Sequence, residues 1–235
     1  MLRLRSRPYP MEEDGITLIF APHQDDESLG CGGLLALKRI KGDPVHVVYI
    51  TDGRASHPGH PTLTPAMVAE QRQAEAMNAM RILGVDHAAL QFLGAPDGAL
   101  MHLDVHAADE LVRQIAAVLQ STHPTEIFLP CRHDGSSEHE AAFALVARAL
   151  AQTGLRPRIM EFPVWSWWNP LLLIPPFFKS RTVWRVDFRN RENMKRQALE
   201  AYASQTQPAP PWESPLLSRE FVSFFSSHEE FFFEM

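Results

Sequence analysis

Two short apolar runs, residues 16–20 (Ile-Thr-Leu-Ile-Phe) and Glu126–Pro130, each end in a dense polar turn, and a helical stretch follows each turn. Runs of this length and β-branched content read as buried strands. With Val45 to Ile50 as a further strand behind helix 34–41, the strand-helix-strand order implies a right-handed parallel crossover. The chain is therefore constrained to an open α/β sheet. In such sheets ligands bind at the carboxyl ends of the strands, where both polar turns fall.

The first turn is Pro22-His23-Gln24-Asp25-Asp26-Glu27-Ser28. An imidazole and three carboxylates folded together repel one another, and desolvation adds to the cost. A divalent cation relieves both. His23 and Asp26, three residues apart across a tight turn, can supply nitrogen and oxygen ligands, a mix that suits zinc. Asp25 points elsewhere, as a general base for metal-activated water does. A plainer use of the carboxylates is to cap the next helix, but one would suffice for that. The second turn, Cys131-Arg132-His133-Asp134-Gly135-Ser136-Ser137-Glu138-His139, precedes an alanine-rich helix over 140–150. At the same sheet edge its His139 is placed to complete a His/Asp/His set, though alone it reads equally as a surface residue at a helix start.

These residues resemble a known family. Pro22 to Glu27 is similar to the His-Pro-Asp-Asp-Glu signature of the PIG-L/LmbE-like zinc deacetylases, and 133–139 to their second motif, which ends in His-x-Asp-His. Thr51-Asp52-Gly53, Arg72 and Glu75 before Leu83-Gly84, the run 92–98 and the run 195–205 continue the likeness in order across residues 16–205. The resemblance implies a Rossmann-like, mostly parallel sheet with helices on both faces. It also implies zinc-dependent removal of an N-acetyl group from an N-acetylglucosamine-type conjugate, with Fe2+ as an alternative ion. Zinc would be held by His23, Asp26 and His139, with Asp25 as base and Arg72 and Asp97 near the sugar.

Two departures stand out. Gln24 replaces the signature proline, and Ser136 falls where relatives carry a histidine that stabilises the oxyanion or protonates the amine. Serine cannot act as an imidazolium, so His133, Asp134 or a histidine from another loop is needed in that role, or the chain is a zinc- and sugar-binding relative with impaired turnover. His57 and His60 on the Pro/Gly-rich loop 54–65 are the other candidates. Glu138, with no imidazole at 136 to orient, is left to orient His139.

The remaining segments carry weaker signals. A helix over 66–83 capped by Thr64, a strand over 88–93, a helix over 103–119 and a strand over 159–165 follow in turn. Arg72 and Glu75, one turn apart, could simply form a surface ion pair, but the resemblance tips Arg72 towards the site. The stretch 165–179, Trp- and Leu-rich with prolines, reads as a buried segment, a wall for an acyl or aryl group, a sugar platform or a subunit contact. A strand over 183–188, antiparallel, precedes a helix over 191–204. Residues 1–14 read as a loose arm, 206–215 as a proline-rich linker, and the Phe-rich tail 221–235 as packing on its own sheet or on a second copy. The whole reads as one domain, with a homo-oligomer allowed. Gly30-x-Gly32-Gly33 after a strand suggests a nucleotide loop but lacks the GxGxxG spacing, and the preceding acids would repel a pyrophosphate.

The formal net charge of −6 speaks against nucleic acid as a partner. No apolar run nears the roughly 20 residues of a membrane span. The basic start lacks the apolar core of a signal peptide, and the two cysteines, Cys31 and Cys131, lack metal-type spacing, so a cytoplasmic protein with reduced thiols is expected.

Overall fold

The computed structural model describes residues 2–11, 15–169 and 181–235. Its strands are β1 Arg7–Pro8, β2 Thr17–Ala21, β3 Val45–Thr51, β4 Leu90–Ala95, β5 Glu126–Pro130, β6 Arg158–Phe162, β7 Val183–Asp187 and β8 Glu229–Glu234. The helices are α1 Leu2–Arg5, α2 Asp26–Lys41, α3 Pro65–Ile82, α4 Val105–Thr122, α5 Ser137–Thr153, α6 Trp165–Trp168, α7 Glu192–Ala201, α8 Ala203–Thr206 and α9 Arg219–Phe225. The strands form one sheet in the order β1-β7-β8-β6-β5-β2-β3-β4, parallel except for β8, which runs antiparallel to both its neighbours. Helices α2, α3, α7 and α9 bury one apolar layer against the sheet, while α4 and α5 bury the other. This is the mostly parallel sheet with helices on both faces that the resemblance implied.

Strands β2 and β5 are buried along their whole length, as their continuous apolar runs require. They lie side by side, so the two polar turns emerge next to each other. Thr64 caps α3 by accepting the Met67 N–H, and α3 ends just before Gly84, whose φ is 81°.

Helix α2 starts at Asp26, well before the expected residue 34. The glycines that suggested a loop lie inside it and serve close packing. A Cβ on Gly30 would sit 2.1 Å from the Phe162 ring, and one on Gly33 would sit 2.1 Å from Phe188. They are therefore contacts between a helix and its neighbours, not a phosphate loop. Helix α5 likewise begins at Ser137, which puts Glu138 and His139 in its first turn.

Both ends of the chain are more ordered than their sequence suggested. Instead of a loose arm, residues 7–8 pair with β7, and buried Tyr9 donates its hydroxyl to the Glu126 carboxylate. The expected linker at 206–215 is a packed strap, with Trp212 stacked 5.4 Å from His57 and the Leu217 N–H bonded to Gln205 O at 2.8 Å. The Phe-rich tail becomes β8, inserted between β6 and β7. Of the Trp-rich stretch, 170–179 lies outside the described residues. No helix among the described residues is long and apolar enough to cross a membrane.

Phe232 of β8 is fully buried, edge-on to Phe128 with ring centroids 4.9 Å apart. Phe232→Ala is expected to destabilise the protein by about 3–5 kcal/mol, read as a lower urea midpoint at unchanged slope.

Candidate active site

The sheet edge is drawn together by bonds to backbone carbonyls. Pro22 O accepts both the N–H and the hydroxyl of Thr51, at 3.0 and 2.8 Å, which ties the end of β2 to that of β3. Gln24, in the place of the motif proline, adds a bond of 2.7 Å from its side-chain nitrogen to Thr51 O. Gly53, with φ at 68°, leaves room for that side chain, since a Cβ there would come within 2.4 Å of Gln24 Oε1.

Asp25 sits at the head of α2 with φ at 152°, a conformation side-chain-bearing residues rarely adopt. Several bonds hold it. Its N–H donates to Glu27 Oε2 at 3.1 Å, and its carbonyl accepts the N–H groups of Ser28 and Leu29. Arg72 of α3 reaches its carboxylate at 3.2 Å and donates to Gln24 O at 2.8 Å. Arg72 and Glu75 are thus buried rather than a surface pair; Glu75 accepts from Ser204. Glu27, also buried, accepts from Ser28 and from the Tyr202 hydroxyl.

His23, Asp26 and His139 converge. Asp26 Oδ2 lies 3.3 Å from His23 Nδ1 and 3.3 Å from His139 Nε2, and one ligand atom from each residue lies within 4.8 Å of the others. His139 is fully buried, and its Nδ1 is 2.8 Å from the Asp134 carboxylate, which accepts its proton. That bond leaves the lone pair on Nε2, and Nε2 has no hydrogen-bond partner. A buried imidazole fixed as a ligand and left unpartnered fits a metal ion. A second cluster, His23, Asp97 and Glu138, is less suited, because Glu138 already accepts the N–H groups of Gly98 and Leu100.

The electrostatics point the same way. Burial pushes the Asp25 carboxyl up to about 7, against the pull of Arg72. Burial opposes ionisation of Asp26 as well, yet His139 and His23 hold its pKa below the usual carboxylate range. Burial alone would lower His139, but Asp26 and Asp134 push it up to about 10. His23 is pushed up to about 9 when Asp26 and Asp97 outweigh its burial. These carboxylates thus draw positive charge into the space between them, and a divalent cation is the alternative to two protons.

His23 and Asp26 open into a cavity of about 610 Å³ that Arg72, Asp97, Ser136 and Trp165 help to line, while His139 lies buried behind them. Asp97 lies 3.0 Å from His23 Nε2 and accepts the Ala55 N–H at 3.0 Å. Glu138 does not orient His139. It faces the loop after β4, and Asp134 holds the imidazole instead, because the tight turn at Gly135 folds Asp134 back beneath α5. His133 is exposed and absent from the cavity lining, while His57 and His60 pack on Trp212 in a different depression. Among the described residues that line the cavity, His23 is the only histidine. The sequence reading missed Val164, Leu216, Leu217 and Phe221 in the lining, since isolated apolar residues give no local signal.

Residues 18–150 match the family model PIG-L, described as GlcNAc-PI de-N-acetylase. The chain belongs to the PIG-L family. Solved structures with the same fold include N,N'-diacetylchitobiose deacetylase from Pyrococcus horikoshii, at 20% identity and TM-score 0.65, covering 84% of this chain and 73% of that one. A zinc-inhibited form of teicoplanin deacetylase matches at 19% identity and TM-score 0.68, covering 93% and 97%. The 4-carboxy-2-hydroxymuconate hydratase from Pseudomonas putida KT2440 also matches, at 20% identity and TM-score 0.68, covering 90% and 83%. The fold shared with this PIG-L member therefore spans more than one chemistry, and its own site must decide among them.

If Asp134 fixes the ligating tautomer of His139, Asp134→Asn is expected to weaken zinc binding about 10–100-fold. Competition with a fluorescent chelator measures it, and circular dichroism confirms that the fold is kept.

Proposed function

We propose that this PIG-L protein is a zinc-dependent amidohydrolase that removes an N-acetyl group from an N-acetylglucosamine-type amino sugar conjugate. The observation that carries the reading is His139, fixed by Asp134 with its free nitrogen turned to Asp26, beside a separate carboxylate on Asp25. His23, Asp26 and His139 would hold the ion, and their nitrogen and oxygen donors suit zinc, with Fe2+ the nearest substitute. When bound, zinc supplies a Lewis acid that polarises an acyl carbonyl and acidifies water.

The rest of the chemistry belongs to side chains of this chain. Asp25 takes a proton from the attacking water as the new C–O bond forms, and returns it to the nitrogen as the C–N bond breaks. Acetate and a free amine result. Burial pushes this carboxyl up, opposite in direction to the pull of a bound dication, and a carboxyl balanced between the two is suited to both halves of that transfer. Arg72 keeps Asp25 in place, and Asp97 faces the polar end of the cavity, where sugar hydroxyls would lie. Ser136 can donate one hydrogen bond to a developing oxyanion but cannot carry the charge of an imidazolium. The whole chain is read as one domain, and the two free, buried cysteines fit a cytoplasmic setting. Ser136 also supports a second reading, a metal- and sugar-binding relative with little turnover.

Release of free amine from N-acetylglucosamine conjugates by the zinc-loaded protein separates the two readings; ligand binding without acetate release favours the second. Asp25→Asn is expected to lower kcat about 10²–10⁴-fold with zinc content unchanged by metal analysis. Because the base works ionised and a neighbouring dication favours the carboxylate, kcat/KM should fall with acid on a limb below pH ~7 that Asp25→Asn abolishes. Ser136→His is expected to raise kcat; unchanged kinetics would remove position 136 from the proton path.

A further inference from the structure

The cavity has two unlike halves, and the strand order separates them. On one side of β2 lie β3 and β4, whose following loops contribute Ser56 and Asp97 to the lining. On the other side lie β5 and β6; the turn after β5 contributes Gly135, Ser136 and Ser137, and the segment after β6 contributes Val164 and Trp165. Beyond them the C-terminal region adds Leu216, Leu217 and Phe221, with the Phe221 ring 5.0 Å from that of Trp165. Gln205, the polar residue beside Leu217, gives its side-chain nitrogen to Ser204 at 2.8 Å. His23, Asp26 and His139, from the turns after β2 and β5, stand between the two halves.

A secondary amide held at that midpoint is trans, so its two substituents leave in opposite directions. Sugar hydroxyls need hydrogen-bonding partners and match the β3–β4 side. The acyl group then runs along the apolar side. An acetyl group has one methyl and would leave most of that wall exposed to water, at the cost of its hydrophobic contribution. The geometry points to an acyl subsite formed by Val164, Trp165, Leu216, Leu217 and Phe221 that selects N-acyl amino sugars with chains longer than acetyl. This rests on the amidohydrolase reading and extends it to a substrate class.

The test compares N-acetyl-, N-butyryl- and N-hexanoyl-glucosamine on the zinc-loaded full chain, with octyl N-acetyl-β-glucosaminide carrying its apolar chain on the sugar side. Buried methylenes are worth roughly fourfold each at best, so kcat/KM for the hexanoyl compound should exceed that for the acetyl compound by about tenfold or more. Leu216 is 40% exposed, so its substitution leaves the core intact. Leu216→Asp should bring the hexanoyl-to-acetyl ratio close to one. A second measurement, calorimetric binding of the same compounds to zinc-loaded Asp25→Asn protein, does not need turnover. If no amide is cleaved yet the hexanoyl compound binds about tenfold more tightly and Leu216→Asp erases the gain, the subsite stands and the amidohydrolase reading falls. A flat or falling series in both measurements, with acetyl release intact, overturns the subsite alone. A gain for the octyl glycoside without one for the hexanoyl amide also overturns it, by giving the wall to the aglycone.

Discussion

The buried carboxylate of Asp134 is the joint on which the site turns. Fully enclosed, it accepts from His139 Nδ1, from the N–H groups of Val164, Trp165 and Ser166, and from the Ser166 hydroxyl. Bonds to an ionised acceptor are roughly twice as strong as neutral ones, and none of these competes with water. One side chain therefore fixes the orientation of the His139 imidazole and anchors the start of α6, where Val164 and Trp165 enter the cavity. The His/Asp/His cluster and the apolar wall share a support, so their relative position is set by hydrogen bonds rather than by the softer packing of exposed rings.

A similar economy holds α2, the helix that presents Asp25 and Asp26. Lys195 of α7 donates to Leu29 O at 2.8 Å and pairs with Glu230 of β8 at 2.7 Å, and Glu230 accepts the N–H groups of Gly33 and Leu34. A buried ion pair seldom adds much net stability, because desolvation offsets the attraction. Its geometry is specific, however. Removing either partner would leave a buried charge against the helix backbone, so the last strand of the chain is bound to the position of the first polar turn. Asp25 can be kept at its unfavourable φ only because Arg72, Glu27 and this braced helix over-determine it.

What could be read from the sequence was what is local. Strand β5 falls on its expected bounds, the Thr64 cap bonds as its residue type requires, and both polar turns sit at one sheet edge because strand-helix alternation leaves few topologies. What could not be read depends on partners far along the chain. Gly30, Gly32 and Gly33 looked like a loop because nothing nearby in sequence reveals Phe162, Lys195 and Phe188 pressing on them. The tail's phenylalanines announced burial but not the gap between β6 and β7 that they fill. Glu138 was the expected partner of His139, but neighbouring residues at a helix start point apart, and the turn at Gly135 brings Asp134 to the imidazole instead.

The histidines of loop 54–65 show why a residue type near a site is weak evidence of a role in it. His60 accepts the N–H groups of Thr62 and Leu63 on Nδ1 and so carries its proton on Nε2, which faces Ala209 O at 3.2 Å. Both nitrogens are committed, and a proton shuttle needs one that is not. His57 is stacked on Trp212 in the same depression, and burial lowers its pKa. Together they pin the strap that leads to Leu216 and Leu217. Neither imidazole lines the cavity, so both are committed to holding the strap, and the loop that carries them serves the packing of this edge of the sheet.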